Sequence, residues 1–147
     1  MTRGFSLMEL VVVLAILAIA AAVVAPGVGR NADGVRARAE VGGVAAFLRS
    51  ARAYAATRRQ AMEVRLDDET HTLVMRQAKS AGEGAVQATR AVSSLLRITV
   101  DPPPSVIFLP HGMSTGARFA VATPGAHAHV ITVDALTGRV STRRPGS

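Results

Sequence analysis

The chain opens with an apolar run that is long enough to cross a membrane. Between Phe5 and Ala25 only one residue, Glu9, is charged. A helix needs about 20 residues to span the hydrocarbon core of a bilayer. The pattern therefore predicts a membrane-spanning helix over residues 5–26, with Pro26 at its end. A carboxylate without a partner is costly in hydrocarbon, so Glu9 needs a specific reason to be there.

A second apolar pattern with helical spacing follows a glycine-bearing segment. Residues 27–34 predict a kink or a loosened turn after Pro26. From Val35 to Arg59, apolar residues recur every three or four positions with arginines between them, which predicts an amphipathic helix, weakened at Gly42 and Gly43. We expect the apolar face of this helix to lie on a sheet.

Beyond Gln60 the apolar spacing changes to two, which is typical of strands. The predicted strands are 62–66, 72–76, 95–100, 106–109, 118–122, 128–133 and 139–142. The segment 77–94 is rich in alanine, glycine and serine and is predicted to be a long surface loop. One long helix followed only by strands predicts an α+β fold, with an antiparallel sheet packed on the C-terminal half of the helix.

Composition limits the range of functions. With 147 residues, the chain has room for one soluble domain beside the membrane helix. The absence of cysteine excludes disulfides and thiolate metal sites. The net charge of +7 comes almost entirely from arginine, which suits contacts with carboxylates or phosphates. Nucleic acid, anionic lipid and an acidic protein all fit a basic surface, as does a solvated surface without a partner.

One pattern raises the alternative of an enzyme. Residues 112–116 satisfy G-x-S-x-G, which marks a nucleophile when a strand precedes it and a helix follows. Here the following residues read as a strand, and no histidine follows Asp134. We therefore interpret the glycines as part of a hairpin turn. The sequence predicts no catalytic residue, no enzyme activity and no cofactor.

Two patterns raise the alternative of a metal site. His127 and His129 are spaced to share one face of a strand, and His71 or His111 could join them in the fold. No carboxylate lies near them in sequence, so ordinary histidines are the favoured interpretation. The run 67–69 is acidic but lacks the spaced oxygen ligands of a calcium loop. We predict no metal site.

The first residues resemble the type IV pilin and pseudopilin superfamily. A short basic leader ends at Gly4, Phe5 would be the first mature residue, and Glu9 the fifth. The resemblance implies cleavage by a prepilin peptidase between Gly4 and Phe5, N-methylation of Phe5, and use of Glu9 in filament assembly. A new amino terminus could pair with the Glu9 carboxylate of a neighbouring subunit. A signal peptide cut near Ala22 and a plain membrane anchor are the alternatives.

The soluble part resembles the GspH/FimT group of minor pseudopilins, in Ile107–Gly112 with Ser114 and Gly116, and in Val133–Asp134 with Thr137–Val140. The resemblance implies a pilin-like fold with a leader (1–4), a membrane and filament-core helix (5–26) and a periplasmic head (27–147). It implies a single-pass protein of the bacterial inner membrane. Counting arginines on each side of the helix favours the opposite orientation.

Two functions follow from the resemblance. The favoured one is a minor pseudopilin of a type II secretion system, with other pseudopilins or pilins in a helical filament, prepilin peptidase and the inner membrane as partners. The alternative is a FimT-like minor pilin that binds DNA for natural transformation. That group is expected to carry Gly-Arg-x-Arg near its end, whereas here Ser141 follows Gly138-Arg139-Val140. Candidate nucleic-acid or partner contacts are Arg139, Arg143 and Arg144.

Overall fold

The computed structural model describes residues 4–79, 84–101, 105–122 and 128–146, with the backbone alone over residues 25–33. One helix and eight strands form in this part of the chain. The helix α1 is Leu7–Arg58, and the strands are β1 Met62–Asp67, β2 Thr72–Gln77, β3 Val86–Ala91, β4 Arg97–Asp101, β5 Ser105–Phe108, β6 Ala117–Ala122, β7 His129–Val133 and β8 Val140–Arg143. The chain divides into two compact units, one up to Arg36 and one from Ala37 onward.

The helix continues through the segment that was predicted to interrupt it. The backbone is helical over residues 27–34, so the predicted loosened turn is wrong. Proline removes one hydrogen bond of the helical ladder, and each glycine costs about 1 kcal/mol relative to alanine. These local costs do not end the helix, because the hydrogen bonds of the neighbouring residues remain. The two predicted helices are therefore parts of α1.

The second half of α1 has the predicted amphipathic pattern. Its buried residues recur at steps of three and four: they are Ala37, Val41, Val44, Ala45, Leu48, Ala51 and Ala55. Val35, at the predicted start of this face, is exposed. The helix ends at Arg58, and Arg59 takes a positive φ of 53° that stops the helical run. The buried face belongs to the main core of the second unit.

The first sheet has the strand order β3-β2-β1-β5, and every neighbouring pair is antiparallel. The predicted hairpin is confirmed as β1 and β2. The predicted long loop over 77–94 is wrong, because it contains β3. No residue of β3 is buried, so its sequence carries no apolar alternation. The strand is held by its ladder with β2, which is irregular between Met75 and Arg76.

The second sheet has the order β4-β6-β7-β8 and is also antiparallel throughout. The single predicted sheet is thus two sheets of four strands. The largest fully buried side chains come from α1 and from both sheets: they include Leu48, Met62, Leu73, Phe108, Phe119 and Ile131. One core formed by a helix and antiparallel strands confirms the α+β class.

Candidate functional sites

The peptide bond between Gly4 and Phe5 lies in an exposed segment ahead of α1. Both residues are outside the helix, and the Phe5 side chain is 76% exposed. A Cβ atom added at Gly4 would meet nothing within 4 Å. A peptidase would therefore reach this bond without unwinding the helix.

Glu9 lies in the first turn of α1. The carbonyl oxygen of Ser6 accepts hydrogen bonds from the backbone N–H of Glu9 at 3.0 Å and of Leu10 at 3.2 Å. A carboxylate near a helix N-terminus is favoured by the helix dipole, although the effect is small. Glu9 is exposed and has no ion-pair partner among the described residues. A partner for its charge would have to come from another molecule or from a new amino terminus.

The apolar first part of α1 has no cover within the described chain. Leu7–Val24 has a mean hydropathy of 2.9, is long enough to cross a bilayer, and none of its residues is buried. Side chains such as Leu7, Ile19 and Val23 are between 67% and 81% exposed. A face of this size does not stay in water. The segment requires a bilayer or other protein chains around it.

The turn between β7 and β8 is organised by Asp134. Its Oδ1 accepts hydrogen bonds from the backbone N–H of Leu136 at 3.0 Å and of Thr137 at 2.8 Å, and from the Thr137 hydroxyl at 2.8 Å. The bonds from Thr137 are the main reason that the pKa of Asp134 lies below its ordinary value of 3.8. The Asp-x-x-Thr-Gly pattern is thus the hydrogen-bonding pattern of this turn.

Gly138 and Gly112 bring that turn against the loop between β5 and β6. Gly138 has a φ of +61°, and a Cβ added there would lie 2.3 Å from the carbonyl oxygen of Gly112. Only glycine fits this conformation and this close approach. Contact between the two loops therefore requires glycine in these predicted turns. The spacing of the glycines in the sequence did not indicate this contact.

Ser114, the central residue of the G-x-S-x-G pattern, is a structural residue of the same loop. Its buried hydroxyl donates a hydrogen bond to the carbonyl oxygen of Asp134 at 2.9 Å and accepts one from the N–H of Gly116 at 3.0 Å. Strand β6, rather than a helix, follows. The hydroxyl is engaged on both sides and is not presented as a nucleophile.

The histidines are spread over the fold: His71 lies in the β1–β2 turn beside the acidic run 67–69, and His111 lies in the loop between β5 and β6. His129 lies in β7, whereas His127 lies outside the described residues. In the part of the chain that the structure describes, no three histidine or acidic residues form a group that could hold a metal ion. Asp67 accepts hydrogen bonds from the N–H groups of Glu69 and Thr70 at 3.0 and 3.3 Å. Hydrogen bonds from Thr70 are the main cause of its lowered pKa.

The three candidate arginines of the C-terminus lie at different points along β8. Arg139 precedes the strand, Arg143 is its last residue and Arg144 follows it. All three are exposed. At about 3.3 Å per residue, Arg139 and Arg143 are about 13 Å apart along the chain. Arg143 instead shares a surface groove of about 430 Å³ with Arg118 of β6.

Arg118 was not singled out by the sequence. In β6 it alternates with the buried Phe119 and therefore faces outward. The strand pattern in the sequence does not show which strands lie beside it. The strand order places β7 between β6 and β8, so Arg118 and Arg143 face the same side with Thr132 and Ser141 between them.

Strand β3 is tied to α1 through polar side chains. The guanidinium of Arg90 contacts the Glu40 carboxylate at 3.4 Å, and the Tyr54 hydroxyl donates a hydrogen bond to Gln87 at 2.9 Å. A Cβ added at Gly43 would lie 2.0 Å from the Arg90 guanidinium. The sequence predicts that Gly43 weakens the helix. In the structure, the absence of a side chain at Gly43 leaves the space in which the Arg90 guanidinium crosses α1.

Two family models match this chain. Residues 40–137 match the model of type II transport protein GspH, and residues 1–25 match the prokaryotic N-terminal methylation motif. The first match covers α1 from Glu40 onward and seven of the eight strands in the described part. The second covers the exposed Gly4–Phe5 bond, Glu9 and the apolar span. No curated protein matches the chain in sequence.

Solved structures share the fold. The type IV minor pilin FimU of Pseudomonas aeruginosa aligns with a TM-score of 0.65 at 19% identity, over 76% of this chain and 94% of that one. The minor pseudopilin EpsH from the type 2 secretion system of Vibrio cholerae aligns with a TM-score of 0.60 at 16% identity, over 78% and 98% of the two chains. At these identities the likeness establishes a pilin-like fold.

Proposed function

The chain belongs to the GspH family of type II transport proteins, and on that premise we propose that it is a minor pseudopilin. In this role it is a structural subunit of the short filament of a type II secretion system and acts in protein export across the outer membrane. The filament holds it through the first half of α1, and its α+β head contacts other pseudopilins or the exported protein. The role requires no catalytic residue and no cofactor.

The main support for the proposal is the uncovered apolar span Leu7–Val24. Glu9 lies near the start of this span, and the exposed Gly4–Phe5 bond precedes it. A bilayer covers such a span before assembly, and neighbouring subunits cover it afterwards. The carboxylate of Glu9 then pairs with the amino terminus that cleavage creates on another subunit. An uncut membrane anchor explains the hydropathy but gives Glu9 no partner.

Processing of the N-terminus tests this proposal. Prepilin peptidase is expected to cut after Gly4, and the new N-terminal Phe5 is expected to be methylated. The intact mass of the protein extracted from its own membranes should correspond to a methylated chain that starts at Phe5. Gly4→Leu should abolish the cut and leave membrane insertion intact, because the apolar span is unchanged. A mature chain starting near Val23 would instead identify a signal peptide.

A single-pass topology in the inner membrane accompanies the proposal, with the head in the periplasm. The arginines that follow the span, Arg30, Arg36 and Arg38, favour the opposite orientation by the positive-inside rule. The match to the N-terminal methylation motif supports the periplasmic side. The resemblance to pilins implies a head on the periplasmic side of the membrane.

DNA binding during natural transformation is the second candidate. It is supported by exposed Arg139, Arg143 and Arg144 and by the net charge of +7. Against it, Ser141 stands in the place of the second arginine of Gly-Arg-x-Arg. We expect weak, sequence-independent DNA binding that falls with salt, by about 0.9 log units per phosphate contact for each log unit of salt.

A deletion strain separates the two functions. Loss of the protein should reduce secretion of type II substrates and leave DNA uptake unchanged. The reverse result, together with loss of DNA binding when the three arginines are replaced by alanine, would establish the DNA-uptake function. Complementation with the Arg139→Ala, Arg144→Ala double variant, which keeps Arg143, should restore secretion if the favoured function holds.

A further inference from the structure

We propose that the outer face of the second sheet is a docking groove for an acidic segment of a partner protein. The groove residues are Arg118, Val130, Thr132, Ser141, Arg143 and Pro145. The inference deepens the proposed function and rests on it, since a filament subunit must contact other proteins through its head. The argument uses the register of three strands, the charges on the two sheets and the chemistry of the groove.

The strand register brings the polar groups together. Arg118 lies opposite Thr132, Thr132 lies opposite Ser141, and Val130 lies opposite Arg143. Neighbouring residues Phe119 and Ile131 are fully buried, so the alternation of side chains directs this set outward. From strand spacing and rise, the Cα atoms of Arg118 and Arg143 are about 12 Å apart. Two hydroxyls and a half-buried valine lie between two guanidinium groups.

The two sheets differ in whether outward-facing arginines have an ion-pair partner. On the first sheet, Arg76 donates a hydrogen bond to Glu63 at 2.7 Å, so one cation is neutralised within the face. On the second sheet, Arg118 and Arg143 form no ion pair or hydrogen bond with any described residue. Asp101 lies opposite Arg118 in register but does not reach it. The face therefore keeps two cations available for a ligand.

The chemistry of the groove fits carboxylates on an extended chain. A guanidinium group binds a carboxylate through two parallel hydrogen bonds, and the hydroxyls of Thr132 and Ser141 can donate further ones. A span of about 12 Å corresponds to residues i and i+4 of an extended chain, at about 3.3 Å per residue. Val130 offers an apolar contact to a side chain between the two acids.

Nucleic acid fits the groove less well. None of the described residues that line it has an aromatic side chain on which a base could stack. Two arginines correspond to about two phosphate contacts, whereas proteins with strong salt-dependent DNA binding make about six to ten. These two observations favour a protein segment with separated carboxylates.

The test uses the full chain in detergent micelles and a fluorescein-labelled octapeptide that has glutamate at positions 2 and 6, valine at position 4 and serine elsewhere. This peptide carries carboxylates at i and i+4 on the same side of a strand. The matched control peptide has glutamine in place of every glutamate, and a labelled duplex DNA of 20 base pairs is the third probe. Fluorescence anisotropy gives the three affinities at the same salt concentration.

Arg118→Gln with Arg143→Gln should weaken binding of the acidic peptide at least tenfold. The matched control, Arg38→Gln with Arg49→Gln, removes two exposed charges from α1 and should weaken it less than threefold. Arg143→Gln alone should have an intermediate effect. The melting temperatures of all variants should agree with wild type within a few degrees, because none of the four side chains is buried.

Three results would overturn the inference: no binding of the acidic peptide by wild type, an equal loss in the groove and control variants, or binding of the glutamine peptide with the same affinity. Loss of DNA binding in the groove variant alone, with peptide binding unchanged, would assign the groove to nucleic acid. If the chain starts at Phe5 but does not bind the acidic peptide, the groove proposal alone fails. If an uncut chain binds the peptide, the proposed function fails and the groove stands.

Discussion

The two halves of α1 are one continuous helix with opposite surroundings. From Ala37 to Ala55 the helix buries an apolar face among the two sheets, and Leu48 is fully buried. From Leu7 to Val24 it is more apolar, yet none of its residues is buried. Hydropathy by itself therefore does not show whether an apolar helix face is buried by its own chain, by a bilayer or by other proteins. The first half depends on a bilayer or on other subunits, and the second on its own chain.

This difference separates two kinds of stability. Substitutions in the second half should act on the free energy of unfolding of the head. Substitutions in the first half should act on insertion and assembly and leave the head unchanged. The predictions below test this separation, starting with the largest effect on the head.

Leu48→Ala should destabilise the head by about 2–5 kcal/mol, because it opens a cavity in a fully buried site. Leu14→Ala, the same change in the uncovered half, should leave head stability within about 0.5 kcal/mol of wild type. Urea unfolding of the full chain in detergent micelles, followed by near-ultraviolet signals of the head, measures both. Similar losses in the two variants would contradict the separation.

Gly43→Ala and Gly42→Ala form a matched pair within the covered half. Gly42 has open space around its added Cβ, whereas the Cβ at Gly43 would displace the Arg90 guanidinium from Glu40. Alanine in place of glycine raises helix stability by up to about 1 kcal/mol. We expect Gly42→Ala to raise the free energy of unfolding. The Gly43→Ala variant should be less stable than the Gly42→Ala variant by about 1 kcal/mol. Equal melting temperatures would show that Arg90 adapts without loss.

The smallest effect concerns the outer face of the first sheet. Burial raises the pKa of Glu63, but hydrogen bonds from Arg76 and Ser105 and the charge of Arg76 outweigh it and hold the pKa below its ordinary value of 4.5. The carboxylate thus stabilises the fold above pH 4.5, and this contribution is lost as the pH falls below that value.

Glu63→Gln should therefore lower stability at neutral pH by about 1 kcal/mol, because the variant loses a charge-assisted hydrogen bond in a partly buried pair. Below pH 4.5 the stability of wild type should approach that of the variant. Glu69→Gln, in the exposed β1–β2 turn, is the control and should follow wild type. Thermal unfolding between pH 3 and pH 7 measures the three curves; a constant gap between wild type and Glu63→Gln would contradict the assignment.

Patterns of period three to four and of period two were sufficient to predict the α+β class, the buried face of α1 and seven of the eight strands that the described residues form. They did not reveal β3, because a strand without buried residues has no alternation to read. They did not separate the two sheets either. That division depends on which strands pair, such as β5 with β1 and β4 with β6, and pairing over long distances leaves no local pattern.

The site shows the same limit. Gly4, Phe5 and Glu9 follow one another within a few residues, so a local motif was enough to predict their roles, and those roles stay predictions. Arg118 and Arg143 are far apart in sequence and meet only because β7 lies between their strands. The turn at Asp134 was recognised as a motif, but its contact with Gly112 required the fold.

The most direct test of the account is the behaviour of Glu9→Leu. The substitution removes the carboxylate from an otherwise apolar span, so membrane insertion should equal or exceed that of wild type. Entry into filaments, measured by cross-linking between subunits and by their recovery in sheared filament fractions, should be lost. Normal insertion with loss of assembly is the predicted result. Normal assembly of Glu9→Leu would contradict the claim that the uncovered half of α1 meets its partner through this carboxylate.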